Sequence, residues 1–207
     1  MQRIFLLGVI VLLSSLLIWV ALFWAPQSDS VPSHEQLSIS AAPVGGNFAL
    51  ESHLGPVTLN DYQGKVVILY FGYTWCPDIC PTSLGFLSMA LNELTEEELA
   101  GVQPLFISVD PKRDSLERLR VYGEYFHPSI LGVTGLPEAV EEVAGKYGAA
   151  YSIVEQPSES NYVVDHSADT YFIDREGKLA KVLPHGTPPE EMLALMRRML
   201  SEGAAKQ

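Results

Sequence analysis

Residues 65–83 read KVVILYFGYTWCPDICPTS and contain both cysteines of the 207-residue chain. Lys65 to Phe71 is a continuous apolar run rich in β-branched and aromatic residues, the pattern of a strand buried on both faces. Cys76 and Cys80 follow its carboxyl end. Beyond them Leu84, Leu87, Leu91 and Leu94 recur at helical spacing, and Pro81 suits the first helical position. The stretch predicts a strand, a cysteine loop and a helix, with the thiols where open α/β sheets place their ligands.

The alternation continues downstream. PLFISVD (104–110) predicts a strand, followed by a helix from about Asp114 with Glu117 as its capping-box partner and Leu116, Leu119, Tyr122 and Phe126 facing inward. ILGVTG (130–135) predicts a short strand, and Pro137 opens a helix whose Val140, Val143, Ala144 and Tyr147 share one face before Gly148. YSIVEQ (151–156) and NYVVDH (161–166) flank a Pro/Ser/Glu-rich turn. TYFID (170–174) and KLAKVL (178–183) bracket Arg175, Glu176 and Gly177 as an antiparallel pair. A last helix is expected from Thr187, with Pro188 at its first position and Glu190 completing a capping box. Upstream, NFALES (47–52) and PVTLND (56–61) suggest a hairpin, with Gly55-Pro56 and Gln63-Gly64 as turns. These elements predict a thioredoxin-like α/β domain: a mixed sheet with flanking helices, an N-terminal hairpin and an insertion.

Ile4 to Trp24 carries no charged residue and is long enough to cross a hydrocarbon core as a single transmembrane helix. A cleaved signal peptide would have a shorter apolar region and a small-x-small end, whereas this run closes on Leu22, Phe23 and Trp24. Arg3 precedes the span and no Lys or Arg follows until Lys65, so the short end is expected in the cytoplasm. Without an Arg-rich amphipathic presequence, the expected location is a bacterial inner membrane, with the C-terminal domain in the oxidising periplasm. Residues 1–25 then form a cytoplasmic tip and anchor, residues 26–45, rich in Ser, Pro and Ala, a flexible tether, and residues 46–207 one domain. His34 in the tether has no partner in view. With 25 acidic residues against 13 basic and a formal net charge of −12, nucleic acid and anionic lipid are poor partners. A basic protein surface or a cation suits better, although solubility alone also accounts for such a balance.

Two cysteines at i and i+4 at the start of a helix bring both sulfurs to one side, and the helix N–H groups there favour thiolate. Pro77 and Pro81 stiffen the loop. As an inert disulfide the pair would contribute only about 2 kcal/mol, below the roughly 3 kcal/mol of a fifteen-residue loop. Three chemistries stay open: dithiol exchange, peroxide reduction, and a metal site with both thiolates and a third ligand. His166 is the best third ligand, because it precedes a strand expected near the sheet centre. Two thiolates and an imidazole are soft enough for Cu(I), with Cu(II) open to them if a further ligand joins, whereas structural zinc usually takes four protein ligands. His53, His127 and His185 read as structural, and Met192, Met196 and Met199 as a core stripe. The segment VDPKRD (109–114) either braces the site at a strand end or simply caps the next helix.

GYTWCPDICPTSL (72–84), FISVDPKRDS (106–115) and VDHSADTYFID (164–174), in this order behind an N-terminal anchor, resemble the Sco (SenC) copper proteins involved in assembling cytochrome c oxidase. The resemblance implies a thioredoxin-like fold in which Cys76, Cys80 and His166 bind copper and deliver it to the binuclear copper centre of oxidase subunit II. It also implies contact with other periplasmic copper chaperones or thiol reductants, and a thiol-disulfide oxidoreductase role, reducing the acceptor cysteines, as the alternative. Trp75 stands where such proteins often carry His, so no auxiliary metal contact is expected there. Thioredoxin-like reductases carry Cys-x-x-Cys and a cis-proline before the strand that reads TYFID here. This chain has one more residue between its cysteines, and Ala168 or Asp169 at the proline's place. The Pro-x-x-x-Thr-x-x-Cys context of peroxiredoxins is absent at both cysteines. From a different class, an anchored binding module without chemistry would use the acidic surface alone.

Overall fold

The computed structural model describes residues 43–154 and 162–204, together with Gly8, residues 12–17 and Trp19. The chain divides into two compact units, residues 1–38 and 39–207. In the first, Gly8, residues 12–17 and Trp19 are helical, and Leu12, Leu13, Leu16, Leu17 and Trp19 are exposed. Among the described residues no helix is long and apolar enough to cross a membrane. Most of the expected span over residues 4–24 and of the expected tether, with His34, lies outside the described residues.

In the second unit the apolar run is β3 (Val66–Gly72), and all of its residues are buried. Parallel to it lies β4 (Val102–Ser108), paired from Val66 with Val102 through to Gly72 with Ser108. β5 (Leu131–Thr134) runs parallel to β4. β1 (Ala49–Ser52) is antiparallel both to β5 and to its hairpin partner β2 (Gly55–Thr58). On the other side β8 (Thr170–Ile173) is antiparallel to β3 and to β9 (Leu179–Leu183). The order is β2-β1-β5-β4-β3-β8-β9. Among the described residues β6 (Tyr151–Val154) and β7 (Val163–His166) pair with each other alone, as a two-stranded sheet apart from the main one.

The helices are α1 (Ile79–Asn92), α2 (Glu96–Ala100), α3 (Leu116–Phe126), α4 (Pro137–Tyr147) and α5 (Pro189–Ala204). Successive side chains of β3 meet different helices. Phe71 contacts Tyr147 of α4 and lies edge-on to Tyr171 at 5.5 Å. Tyr70 stacks on Phe106, which meets Tyr122 of α3. With α1 packed against α3 and α5, neither face of β3 is left to water, and this explains its unbroken apolar run. Met192, Met196 and Met199 are buried, as a core stripe should be.

Several boundaries differ from the expectations. The hairpin reverses at His53-Leu54, and Gly55 with φ +114° already belongs to β2. α1 begins two residues before Pro81, which puts Cys80 in its first turn. Pro81 fits there because its missing N–H would have been without a helical partner anyway. The cap of α3 is Ser115, whose hydroxyl accepts from the Arg118 N–H, and not Asp114. α5 begins at Pro189, and the Thr187 hydroxyl donates to the Pro184 carbonyl.

α4 ends as its sequence predicts. Gly148 has φ +68°, and its N–H together with that of Ala149 satisfies carbonyls of the last turn. The N–H groups of Val44 and Gly45 both donate to the Lys146 carbonyl, and the Tyr147 hydroxyl donates to the Gly46 carbonyl. These bonds hold the chain entering β1 against the end of α4. A Cβ on Gly148 would sit 3.3 Å from Pro43 in a left-handed backbone. Gly148→Ala is therefore expected to lower stability by about 1–2 kcal/mol in urea unfolding, and an unchanged midpoint would show that this cap contributes little.

Candidate metal centre

The cysteine loop starts where β3 ends. Cys80 lies in the first turn of α1 and is fully buried, while Cys76 is 8% exposed. Asp78, at the N-cap of α1, makes no side-chain cap bond. The Cys76 sulfur takes that role instead, accepting from the Cys80 N–H at 3.4 Å. A helix N-terminus has N–H groups without helical partners and a partial positive charge, so it stabilises a sulfur anion there.

Both thiols are free. The hydrogen bond from the Cys80 side chain holds the Cys76 thiol far below its ordinary range, with further help from His166 and the N–H groups of Cys80 and Asp78, against the opposing effect of burial. For Cys80, burial first and the neighbouring Cys76 second push the thiol far up. The reduced pair is thus one thiolate and one thiol.

Gly72 makes the close approach of Cys80 possible. A Cβ at this position would lie 2.6 Å from the Cys80 sulfur and 3.0 Å from Phe106. No other residue type leaves that space open.

His166 ends β7, and its Nε2 lies 3.3 Å from Cys80 Sγ. Its Nδ1 lies 2.9 Å from the Ser167 carbonyl oxygen. A carbonyl only accepts, so Nδ1 carries a proton and Nε2 is the ring atom turned to the sulfurs. Ser167 is itself fixed, its N–H donating to the Ala150 carbonyl and its hydroxyl accepting from the Ala150 N–H. One donor atom each from Cys76, Cys80 and His166 falls within 4.8 Å of the others. Two sulfurs and one imidazole nitrogen could hold a soft ion such as copper.

The SCO1/SenC family model matches residues 37–201. This chain belongs to the SCO1/SenC family. It is 40% identical over 154 residues to protein SCO1 homolog 1 of Arabidopsis thaliana, covering 74% of this chain and 46% of that one, so it spans about half that relative's length. It is 36% identical to the SCO2-like protein RC0895 of Rickettsia conorii, over 74% of this chain and 76% of the relative. Among solved structures, copper-bound ScoI of Arabidopsis thaliana superposes with a TM-score of 0.70 at 36% identity, covering 76% of this chain and 98% of that one. The mixed sheet with flanking helices is therefore the thioredoxin-like fold of Sco structures.

Among the described residues the other histidines stay out of this site. His53 is exposed in the hairpin turn, His127 is buried beside Ser129, and His185 pairs through Nδ1 with the Ser83 hydroxyl. Sequence reasoning left two readings for the 109–114 segment, a brace for the site or a helix cap, and Asp114 acts as the brace. Its buried carboxylate accepts from the Thr74 N–H at 2.9 Å and from the Thr74 and Ser108 hydroxyls at 2.6 Å each. Arg118 lies 3.9 Å from the same carboxylate, donates to the Thr74 hydroxyl, and sits 4.3 Å over the Trp75 ring. Asp114 thus ties the root of the cysteine loop to the end of β4. A polar residue just before a helix reads equally well as a cap, and its partner Thr74 carries no local signal.

Two outcomes test the site. Because Cys76 is already a thiolate near neutral pH and Cys80 is not, iodoacetamide should modify Cys76 first, at a rate nearly flat between about pH 5 and 8. Peptide mass spectrometry reads this, and prior modification of Cys80, or a rate rising tenfold per pH unit, would contradict it. Gly72→Ala should displace Cys80 and cost about 1–3 kcal/mol through overpacking, measured by denaturant unfolding. An unchanged stability would mean that the strand end gives way easily.

Proposed function

We propose that this chain is a membrane-anchored periplasmic copper-binding protein that carries copper on Cys76, Cys80 and His166 and delivers it to the binuclear copper centre of cytochrome c oxidase subunit II. The observation that carries the reading is the convergence within 4.8 Å of two sulfurs and one imidazole turned to them through Nε2. Family membership and the copper-bound Arabidopsis relative support the choice of metal. Cu(I) is the working form, since a two-sulfur, one-nitrogen set is soft and can hold it three-coordinate. For the anchor, residues 4–24 are apolar, and the described leucines of that stretch and Trp19 are exposed, as suits lipid.

Delivery on this reading is ligand exchange. An acceptor thiolate or imidazole enters the coordination sphere before the donor ligands have left, and a three-coordinate ion leaves room for it. The burial of the donors sets the order of release. His166 is the most exposed and leaves first, Cys76 follows, and the buried Cys80 leaves last. The net negative charge steers the domain toward a basic docking face, so the transfer rate falls with added salt.

A thiol-disulfide oxidoreductase role toward the acceptor cysteines is favoured by one observation, the activated Cys76 beside an unactivated Cys80. In that reaction the Cys76 thiolate attacks the acceptor disulfide, Cys80 resolves the mixed disulfide, and the acceptor leaves with two thiols.

The test is anaerobic Cu(I) titration of the reduced full chain in detergent, followed by mixing with the soluble domain of a subunit II. One equivalent should bind, Cys76→Ser or Cys80→Ser should abolish tight binding, and His166→Ala should retain some binding while transferring more slowly. Undiminished affinity in both cysteine variants would sink the site. Failure of the loaded wild type to transfer, with its dithiol reducing the acceptor disulfide, would favour the oxidoreductase reading.

A further inference from the structure

His166 does not stand on the main sheet. It ends β7, whose only strand partner is β6, so something other than the seven-stranded ladder must set its distance to the thiols. At the other end of β7 the chain is gripped. The Tyr162 hydroxyl donates to Asp110 Oδ1 at 2.6 Å, and Arg113 Nη1 donates to the Tyr162 carbonyl at 2.8 Å. The Arg113 guanidinium lies 3.5 Å over the Tyr162 ring and also pairs through Nε with Asp110 Oδ2. Two residues on, the Val164 N–H donates to the Tyr73 hydroxyl at 3.3 Å. Tyr73 precedes Cys76 by three residues, and its ring meets His166 edge-on at 5.8 Å.

Asp110 and Arg113 belong to the same segment after β4 as Asp114, which holds Thr74 at the root of the cysteine loop. A single short segment therefore grips both ligand-bearing parts, one with each of its two aspartates. The segment is rigid for a physical reason. Asp110 is buried with its charge matched by Arg113, and Asp114 is buried with three donors on its carboxylate. Buried charges so paired resist displacement, because moving one uncovers the other.

We propose that the Asp110–Arg113–Tyr162 latch is a positioning device that sets His166 at ligand distance from Cys76 and Cys80. It acts through His166 and touches no metal itself. This rests on the copper reading and deepens it, since the latch then decides whether copper meets two ligands or three. With the latch closed, the imidazole stays beside the sulfurs. With it open, β7 keeps its pairing with β6 and its bonds through Val164 and Ser167 but loses the grip at Tyr162, and the thiols alone keep the ion.

Tyr162 is the residue to change, because removing Asp110 or Arg113 would leave a buried charge unpaired. Tyr162→Leu deletes the hydroxyl and the ring beneath the guanidinium, and Tyr162→Phe deletes the hydroxyl alone. Each is combined with His166→Ala in the full chain in detergent, and Cu(I) affinity is measured by anaerobic chelator competition. Tyr162→Leu is expected to lower affinity roughly tenfold when His166 is present, the order of effect found for residues that orient a metal ligand, with a smaller loss for Tyr162→Phe. In the His166→Ala background neither change should lower it further. The Cu(II) form of the wild type should show imidazole nitrogen couplings in its electron paramagnetic resonance spectrum, and Tyr162→Leu should lose them. Equal losses in both backgrounds, no loss in either, or intact nitrogen couplings would overturn the proposal. If the wild-type chain binds no copper, the copper reading falls by itself and the latch is judged on the metal-free chain. There the Val164 amide should exchange with solvent faster in Tyr162→Leu, and unchanged exchange would overturn the latch.

Discussion

β3 and β4 pair in parallel with Gly72 opposite Ser108, so the two chain segments that leave these strands start side by side. One carries the cysteines and the other the two aspartates. β8 lies antiparallel on the other side of β3 and begins opposite Tyr70, so His166 arrives at the same end of the sheet from the opposite direction. A register slip of one residue in β3 would turn Tyr70 and Phe71 to the wrong faces and carry Gly72 away from Cys80. The site is therefore no looser than this pairing.

Charge is the second constraint. Asp110 and Asp114 are both buried, Asp114 against Thr74 at the root of the cysteine loop, and each such ion loses several kcal/mol of hydration on burial. Three short bonds to the Asp114 carboxylate, and an arginine with a tyrosine hydroxyl on Asp110, offset that loss with charge-assisted hydrogen bonds. Replacement by apolar residues could match the stability. It could not hold Thr74 and Tyr162 in directed contacts, and these are the contacts that place the thiol loop and the histidine arm.

Elements whose signals are local were legible in the sequence. β3 announces itself by its unbroken apolar run, and α4 by Pro137, one apolar face and Gly148. The three converging side chains were also legible, the cysteines from their spacing and His166 from the resemblance to Sco proteins and its place before β8, which lies beside β3 although second from the sheet edge and not near the centre as expected. What depends on distant partners was not. Asp114 reads equally well as a helix cap next to Ser115, and only the side-by-side ends of β3 and β4 turn it into an anchor for Thr74. The separation of β6 and β7 from the main sheet was equally hidden, because a strand's own residues do not name its neighbour. Pro81 misled by two residues, since proline is tolerated anywhere in the first turn of a helix.

The division of the donors between two parts of the fold bears on the choice between the two proposed chemistries. Thiol exchange needs only the two sulfurs, Cys80 in the first turn of α1 against Gly72 and Cys76 in the loop just before it, and no third group is required. A histidine brought in on a separate two-stranded sheet, with Nδ1 donating to the Ser167 carbonyl, helps keep Cys76 ionised but is not one of the exchanging atoms. It adds a third lone pair for an ion held between the sulfurs. The same separation lets that ligand depart without disturbing the core, because β7 shares no ladder with the main sheet. A carrier has to hold its ion firmly and still admit an acceptor, and a rigid sulfur pair with one detachable nitrogen meets both demands.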